Sequence, residues 1–390
     1  MSPEPGRPAP RFDWFVPIDG DGSRIGTLRA ERPPTFDYLR RVVRTAESLG
    51  FSSLLIPTRF ANGLFDEAAP LAETWTTATA LAAVTARIRF LVAVRPGFIA
   101  TGLFAQMAAA FDQISGGRLD LNVVPGGIQG DLERLGERSD HAERYARAEE
   151  FVAALRALWA RPEPVVFDGR FVRLDGALVS PGPLGAPGPL GAGPQFYLGG
   201  ASPAALRLAG RQSDLFLAWI QPLEETGRLL ADARAQFAAA GRRPAFGLRT
   251  HLVLGETEAG AWRAAADLLS EAAGDVKAQR RRAFAGTPMV GQQAQLRPAG
   301  AAPAGDRHRL GRHLWNGISQ VRVNCGTAIV GTGEQIAAEL LGYWRLGVDE
   351  FILSAYPHVE GCHRVAAEVL PPLRALIAAA AGGRERCPEA

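Results

Sequence analysis

Residues 88–124 read IRFLVAVRPGFIATGLFAQMAAAFDQISGGRLDLNVV, and the order of elements in this stretch decides the fold. A short β-rich run at 88–94 is followed by a longer amphipathic segment at 101–117 and then by a second β-rich run at 118–124. A strand, a helix and a second strand in this order predict a parallel βαβ unit.

The same alternation continues along most of the chain. It starts with RFDWFVPI (11–18) and TFDYLRRVVRTAESLG (35–50), and it ends with EFILSAY (350–356) and GCHRVAAEVLPPLRALIAAA (361–380). About eight strand candidates are each followed by a helix, which favours a closed (β/α)8 TIM barrel over an open doubly wound sheet. We therefore expect one α/β barrel domain over residues 1–390.

Three segments interrupt this alternation. Residues 161–195 contain a candidate hairpin followed by a loop rich in proline and glycine. From 274 to 319 the alternation is lost and the low-complexity RPAGAAPAG appears, so we expect a mobile lid without regular structure on the catalytic face. Residues 381–390 are expected to be a flexible tail.

Composition excludes several classes of protein. Hydrophobic residues make up 47%, charged residues 21%, and the net charge is +3, a balance typical of a soluble globular protein. The arginines are spread out without aromatic interleaving, so no nucleic-acid surface is expected. No segment reaches the roughly 20 apolar residues that cross a membrane, and the start of the chain does not resemble a signal peptide.

The cysteines and histidines argue against several kinds of site. Cys325, Cys362 and Cys387 are far apart and odd in number, which disfavours a disulfide framework and favours a reducing, cytoplasmic location. The six histidines show no paired metal-ligand spacing and no CxxC occurs, so we expect no metal. The absence of a G-x-S-x-G motif disfavours serine hydrolase chemistry.

Candidate functional residues lie where predicted strands end. In a parallel barrel the carboxyl ends of the strands converge on one face, which carries the active site. The candidates placed late in strands or directly after them are Asn122, Gly199, Gly200, Trp219, Arg249, His251 and Tyr356. We expect these side chains and glycines to meet around one pocket.

Arg249 and His251, in the run LRTHLVL (248–254), are two residues apart and project from the same face of a strand. Buried without partners, such polar groups cost several kcal/mol. One interpretation is a structural ion pair to a carboxylate. The other is an anion site, in which arginine offers a fork of donors and histidine a proton. Arg322 is either a second cation of this site or a solvated residue, whereas Cys325 is expected to be a small buried hydrophobe.

Two further patterns have both a functional and an ordinary interpretation. YLGGASPAA (197–205) places two glycines before a helix opened by Ser202, which predicts either a phosphate cradle or an ordinary βα turn. His141 and Tyr145 are four apart on one face of a helix capped by Ser139 or Asp140. In isolation such a pair is typical of an exposed surface.

Seven segments in order along residues 12–375 resemble the flavin-dependent, luciferase-like monooxygenases, and specifically their alkanesulfonate monooxygenase branch. They are DGDGSRIGT (19–27), AVRPGFIATGLFAQMAAAFDQISGGRLDLNVVPGG (93–127), DHAERYARAEEF (140–151), FYLGGASPAA (196–205), FGLRTHLVLGETEAGAW (246–262), LWNGISQVRVNCGTAIVG (314–331) and FILSAYPHVE (351–360).

The resemblance implies a TIM barrel with insertions and a function. Such proteins use reduced FMN (FMNH2), delivered by a separate NAD(P)H-dependent flavin reductase, and dioxygen as co-substrate. They activate oxygen as a flavin peroxide, here expected to oxygenate an organosulfonate or related organosulfur compound with C–S cleavage. The lid would keep water away from that adduct. The resemblance also implies a homo-oligomer, either a dimer or a tetramer.

The resemblance also assigns roles by position. The FMN phosphate would be held by Gly199, Gly200, Ala201 and Ser202, with Tyr145 and His141 along the cofactor and Asn122 near the flavin ring. The residues around the sulfonate and the oxygen adduct would be Arg249, His251, Arg322, Trp219 and Tyr356. An arginine would stabilise the developing oxyanion, and Tyr356 or His251 would move protons.

Two departures from the branch concern the substrate. Asp19 replaces the histidine of its H-G-D-G motif, and an anion there would repel a sulfonate if it faced the pocket. RFANGLFDEAAPLAETW (59–75) is longer than its counterpart and lacks a cysteine, so Phe60, Leu64 and Phe65 are expected to make the pocket larger and more apolar.

Three alternative functions remain open at this point. The same flavin chemistry could act on a sulfone, a ketone or a nitrogen compound. The barrel could instead carry a deazaflavin-dependent hydride transferase. A flavin-binding protein without turnover would be expected to lack Arg249 or His251, and both are present.

Overall fold

The computed structural model describes residues 7–160, 162–184, 193–285, 289–297 and 308–382. Parts of the Pro/Gly loop (185–192), of the expected lid (286–288 and 298–307) and of the expected tail (383–390, with Cys387) lie outside the described residues.

Twelve strands are present in the described residues. They are β1 (Arg11–Phe15), β2 (Ser53–Ile56), β3 (Arg89–Val94), β4 (Leu119–Val123), β5 (Val165–Asp168), β6 (Arg173–Ala177), β7 (Gln195–Gly199), β8 (Leu215–Trp219), β9 (Ala245–Leu254), β10 (Leu314–Trp315), β11 (Ala328–Gly331) and β12 (Glu350–Ser354).

Thirteen α-helices accompany these strands in the same described ranges. They are α1 (Phe36–Ser48), α2 (Thr74–Ala82), α3 (Thr101–Ser115), α4 (Gln129–Arg134), α5 (His141–Ala160), α6 (Pro203–Gln212), α7 (Leu223–Ala239), α8 (Glu258–Leu268), α9 (Gly274–Phe284), α10 (Val290–Leu296), α11 (Gly333–Arg345), α12 (His358–Arg364) and α13 (Leu370–Gly382). None of the described helices is long and apolar enough to cross a membrane.

Eight of the strands close into a parallel ring in the order β1–β2–β3–β4–β7–β8–β9–β12, with β12 returning to β1. The predicted (β/α)8 TIM barrel is therefore confirmed. Strand β1 shows how the residues fill it, since successive side chains point to opposite faces. Trp14 packs outward among the helices, whereas Phe15 points into the ring with Leu55, Leu91 and Ile352.

The helices begin where the sequence supplies caps. Thr35 accepts a hydrogen bond from the Tyr38 amide at the start of α1, and Thr332 forms a capping box with Gln335 at the start of α11. Gly116 ends α3 in the left-handed conformation at φ 71°, which glycine adopts without strain.

Strand β9 is the longest of the ring and extends beyond it. Residues 245–249 pair with β8, and residues 251–254 pair in parallel with β11, which in turn pairs antiparallel with β10. Arg249 pairs with Trp219 at the end of β8, and His251 lies two residues farther along, where the extension begins. Strands β5 and β6 form a separate antiparallel hairpin within the 161–195 segment.

The expectation that residues 274–319 lack regular structure is wrong. The segment contains α9, α10, β10 and a 3-10 turn at Gly317–Gln320. Its helices are anchored by buried side chains that sequence periodicity does not reveal. Arg280 of α9 donates to the carbonyls of Val321, Asn62 and Phe65.

Candidate active site

A cleft opens at the carboxyl ends of the barrel strands. It encloses about 1370 Å³ of empty space, its opening to solvent included. A concave cleft at the carboxyl ends of barrel strands, lined by apolar residues and a few polar groups, is typical of a small-molecule site. The residues predicted from the sequence that line it are Asn122, His141, Tyr145, Gly199, Gly200, Ala201, Ser202, Trp219, Arg249 and Arg322.

The turn between β7 and α6, Gly199–Ser202, is the segment predicted to hold a phosphate and is called the cradle below. Gly200 has φ +133°, and a Cβ there would lie 2.7 Å from the Ala205 Cβ. A Cβ on Gly199 would lie 2.6 Å from the Leu217 carbonyl oxygen. Ser202 caps α6 by accepting from the Ala205 amide at 3.2 Å. The bare backbone and the positive end of a ten-residue helix therefore meet the cleft, which suits an anion.

The first turn of α5 borders this cradle. The rings of His141 and Tyr145 lie 4.7 Å apart, and the Tyr145 hydroxyl would be 3.3 Å from a Cβ on Gly200. Burial and the neighbouring Arg144 lower the pKa of His141, so its imidazole is neutral at pH 7. Burial raises the pKa of Tyr145, so its phenol stays protonated. The pair belongs to the cleft, and the exposed-surface interpretation does not apply.

Asn122 and Trp219 occupy two other strand ends. Asn122 of β4 lies in register between Ala93 and Tyr197, and its half-buried side chain lines the cleft. Trp219 ends β8, and a Cβ on Gly291 of α10 would lie 3.4 Å from its ring. The described part of the expected lid therefore covers the cleft beside Trp219.

Arg249 reaches the cleft without a carboxylate partner. Its side chain is only 2% exposed, and Nη2 donates to the Ser354 hydroxyl at 2.9 Å while Nη1 donates to the Thr250 carbonyl. The guanidinium lies 4.5 Å from the Phe15 ring centroid. Burial lowers the pKa of Arg249 to about 10. Since no carboxylate of the described residues pairs with Arg249, the structural ion-pair interpretation fails.

His251 lies behind Arg249 and is not part of the cleft lining. Nε2 is 3.0 Å from the Cys325 carbonyl, which can only accept, so Nε2 carries the proton. Nδ1 then accepts from the Ser354 hydroxyl at 2.8 Å. Burial, and next the charge of Arg249, lower the pKa of His251 well below its usual range. His251 is therefore a neutral residue that orients Ser354 and, through it, Arg249.

Tyr356 is also outside the lining and connects several of these residues. Its hydroxyl accepts from Nη1 of Arg322 at 2.9 Å, and its ring stacks on His251 with centroids 5.6 Å apart. Burial raises the pKa of Tyr356, so the phenol keeps its proton. His358, which the sequence analysis did not select, packs edge-on against Tyr356 and lies 3.0 Å from Asp21.

The sequence analysis missed much of the positive charge of the cleft. Alongside Arg249 and Arg322, the lining includes Arg59, Arg95 and Arg144, and among the described residues that line it there is no aspartate or glutamate. Arg95 directly follows strand β3, and Arg59 comes three residues after strand β2. The rule that strand ends face the site, applied to every strand, would have selected both.

Asp19 does not face the cleft. It is 1% exposed and absent from the lining, and its Oδ1 accepts from the Gly63 amide at 2.8 Å. The same oxygen lies 3.6 Å from Nε of Arg59. Since Asp19 does not point into the pocket, the expected direct repulsion of an anionic ligand does not arise.

The expected apolar enlargement of the pocket is also wrong. Leu64 and Phe65 are fully buried in a separate cluster with Ile25 and Val321. The Phe60 ring packs on Phe98 at 4.7 Å and is not among the residues that line the cleft. These side chains stabilise the inserted segment, because apolar residues in a loop are buried by their own neighbours as readily as by a ligand.

Cys325 lines the cleft as a thiol. Its Sγ lies 3.4 Å from the Arg249 carbonyl oxygen, and burial raises its pKa. A protonated thiol is a weak nucleophile, which agrees with the expectation that Cys325 acts as a small hydrophobe.

Comparison with known proteins gives both a family and a fold. Residues 11–350 match the model of the luciferase-like monooxygenase family. EDTA monooxygenase from Chelativorans sp. BNC1 is similar in structure, with a TM-score of 0.73, 18% identity, and coverage of 95% of this chain and 94% of that one. DmoA from Hyphomicrobium sulfonivorans has a TM-score of 0.74 at 19% identity, covering 94% and 88%.

An F420-dependent secondary alcohol dehydrogenase is also similar, with a TM-score of 0.64, 15% identity, and coverage of 94% of this chain and 100% of that one. At these identities the solved structures establish the barrel fold alone. The family match covers most of the chain, so this protein belongs to the luciferase-like monooxygenase family.

Proposed function

We propose that the protein is a two-component, FMNH2-dependent monooxygenase that oxygenates an organosulfonate or a related organosulfur compound with C–S cleavage. The observation that carries this proposal is one cleft with a phosphate cradle and five arginines, lined by no carboxylate of the described residues. Such a cleft suits a cofactor that carries a phosphate and a substrate that carries a second anion.

The residues of the cradle fit FMN. A phosphate would accept from the bare amides of Gly199–Ser202 and from the Tyr145 hydroxyl, with Arg144 nearby to balance its charge. Asn122, with one donor and one acceptor group, would face the polar edge of the ring system. Reduced FMN would supply the two electrons with which dioxygen delivers one oxygen atom to the substrate and the other to water.

The chain's own residues would bind and polarise the substrate. Arg249, held by Ser354 and Phe15, is a fixed cation that stabilises negative charge as it develops on oxygen. Tyr356 lies outside the lining and its hydroxyl accepts from Arg322, so we propose that Tyr356 positions Arg322 for the substrate. His251 holds Ser354, and we propose that this positioning, rather than proton transfer, is its contribution.

The lid would exclude water from the reaction. Gln295 of α10 donates to the Ile220 carbonyl at 2.9 Å and accepts from the Gly326 amide and the Thr327 hydroxyl. These contacts hold α10 against the barrel mouth beside Trp219. We propose that the lid, residues 274–319, moves as the ligands enter and leave, because water needs to be excluded only while they are bound.

The remaining parts of the proposal concern partners and location. A separate NAD(P)H-dependent flavin reductase would supply reduced FMN, and the protein would work as a homo-oligomer in the cytoplasm. For a primary alkanesulfonate the products would be an aldehyde, sulfite, oxidised FMN, water and a proton.

The test supplies the protein with reduced FMN and oxygen and screens sulfonates of increasing chain length for sulfite release. The proposal expects sulfite and aldehyde in equal amounts from at least one chain length. If no sulfonate releases sulfite while another substrate is oxygenated, the protein is a monooxygenase whose substrate is not a sulfonate.

A second candidate is a deazaflavin-dependent oxidoreductase on the same barrel. The observation in its favour is the similarity to the F420-dependent dehydrogenase named above. Anaerobic titration with FMN and with the deazaflavin separates the two, because a dedicated site should bind only one of them in the micromolar range.

A further inference from the structure

Arg59 is held in the cleft by a loop built around it. Residues 57–59 follow β2 and all line the cleft, and the Arg59 side chain is 7% exposed. A Cβ on Gly63 would lie 2.8 Å from Nε of Arg59, so the glycine lets the loop pack closely against this side chain. The loop that departs from the alkanesulfonate branch therefore places a cation in the site.

The hydrogen bonds of Arg59 and Arg322 are incomplete. Arg59 donates from Nη1 to the Thr58 carbonyl at 3.2 Å, and its Nε is 3.6 Å from Asp19, too far for a hydrogen bond. Arg322 donates from Nη1 to Tyr356. An arginine has five N–H donors, so within the described chain both residues keep donors without partners.

Arg280 shows what a purely structural buried arginine looks like in this protein. It is 4% exposed, and its donors reach three backbone carbonyls at 2.6–3.0 Å. Arg59 reaches one backbone carbonyl, that of its neighbour Thr58, and within the described chain Arg322 reaches none. Both arginines belong instead to the lining of the cleft.

The electrostatics also favour an anion at this position. Burial lowers the pKa of Arg59, and repulsion from Arg322 and Arg280 lowers it further, against the opposing effect of Asp19. Arg322 in turn lowers the pKa of Arg249. Buried cations of like sign are costly without a counterion, and an oxyanion between them would relieve the repulsion.

The FMN phosphate would not fill this position. Its cradle follows β7, whereas Arg59 follows β2, and strands β3 and β4 separate the two in the ring. Phosphate would also neutralise about two charges at most. The five arginines of the cleft thus exceed what the cofactor alone requires.

We propose that Arg59 and Arg322 form a substrate anion subsite that binds the sulfonate or carboxylate group of an organic anion while the cofactor occupies the cradle. This inference rests on the proposed function and narrows it to anionic substrates. Arg59 is then a residue that decides substrate specificity, and Asp19 positions it through Nε.

Calorimetry on the FMN-saturated protein tests the subsite without turnover. The titrants are methanesulfonate and acetate, compared with the neutral methanesulfonamide and acetamide. We expect one or both anions to bind and neither amide to bind, and the preferred anion distinguishes a sulfonate site from a carboxylate site. R59Q should lower the affinity for the anion at least tenfold. R59K should lower it less, because lysine keeps the positive charge but lacks the planar set of guanidinium donors.

Matched variants separate this effect from folding. R228Q removes an exposed arginine on α7 that pairs with Glu224, and it should leave anion binding unchanged. R59Q leaves the buried Asp19 carboxylate without its cation. The double variant D19N/R59Q removes both charges, and it should also lose anion binding. FMN affinity should be the same in all these variants.

Equal anion affinity in R59Q and the unchanged protein would overturn the subsite. So would equal binding of the amides, or loss of anion binding once FMN saturates the cradle. If anions bind through Arg59 but reduced FMN and oxygen give no oxygenated product, the proposed function fails and the subsite stands. If R59Q turns over sulfonates with an unchanged KM, the subsite fails and the function stands.

Discussion

The substitution G200A tests the phosphate cradle. Gly200 has φ +133°, and its Cβ would lie 2.7 Å from the Ala205 Cβ and 3.3 Å from the Tyr145 hydroxyl. Backbone strain of this kind costs about 1–3 kcal/mol. The contact with Ala205 also pushes the first turn of α6 away from its position, so the amides no longer converge on one point.

The expected result follows from the bonds that are lost. A hydrogen bond to a charged group contributes about 1.5–3 kcal/mol. The loss of one such bond should therefore lower the affinity for FMN about 10- to 150-fold. Riboflavin has the same ring system without the phosphate, and its affinity should be nearly unchanged. Flavin fluorescence titration with both ligands measures the difference directly.

G50A is the matched control for G200A. Gly50 also has a positive φ, +80°, but nothing lies within 4 Å of its Cβ position. Both variants should therefore lose stability from backbone strain, and only G200A should lose the preference for FMN over riboflavin. If G200A bound FMN as the unchanged protein does, or lost both ligands equally, the cradle would be wrongly assigned.

Three further substitutions test other parts of the site. The depressed pKa of His251 means that the unfolded chain takes up a proton that the native state does not. The contribution of His251 to the free energy of unfolding is thus complete above about pH 6.5 and falls by about 1.4 kcal/mol per pH unit below it. Urea unfolding of H251Q at several pH values should lack this pH dependence. Y356F keeps the ring that stacks on His251 but removes the hydroxyl that accepts from Arg322, so in steady-state kinetics KM should rise about tenfold with kcat little changed. Q295L leaves the partners of Gln295 unsatisfied and should lower the free energy of unfolding by about 3 kcal/mol, whereas Q106L on the exposed face of α3 should not.

Local sequence patterns predicted the ring and much of the cleft for a physical reason. Short strands alternating with amphipathic helices have few ways to bury their apolar faces, and a closed parallel ring places every strand end on one face. Asn122, Trp219 and Arg249 were therefore selected as strand-end residues, and all three line the cleft. The turn at Gly199–Ser202 was selected because two glycines before a helix cap leave bare amides.

Sequence patterns failed where long-range contacts decide the structure. Helices α9 and α10 follow no clear periodicity, because polar side chains such as Arg280 and Gln295 anchor them by hydrogen bonds to distant backbone. Phe65 was expected in the pocket but packs in a separate cluster. Hydrophobicity indicates that a side chain is buried without indicating what surrounds it.

By itself, the sequence determined the barrel, because the order of strands and helices and the positions of the glycines and caps are local properties of the chain. Only the tertiary structure decided how charge is arranged in the cleft. Asp19 lies beside Arg59, His251 is neutral behind Arg249, and Arg59 and Arg322 belong to one cleft whose described lining has no carboxylate. The pKa of an ionisable group depends on its burial and on charged neighbours from distant segments. Both arise only when the chain is folded.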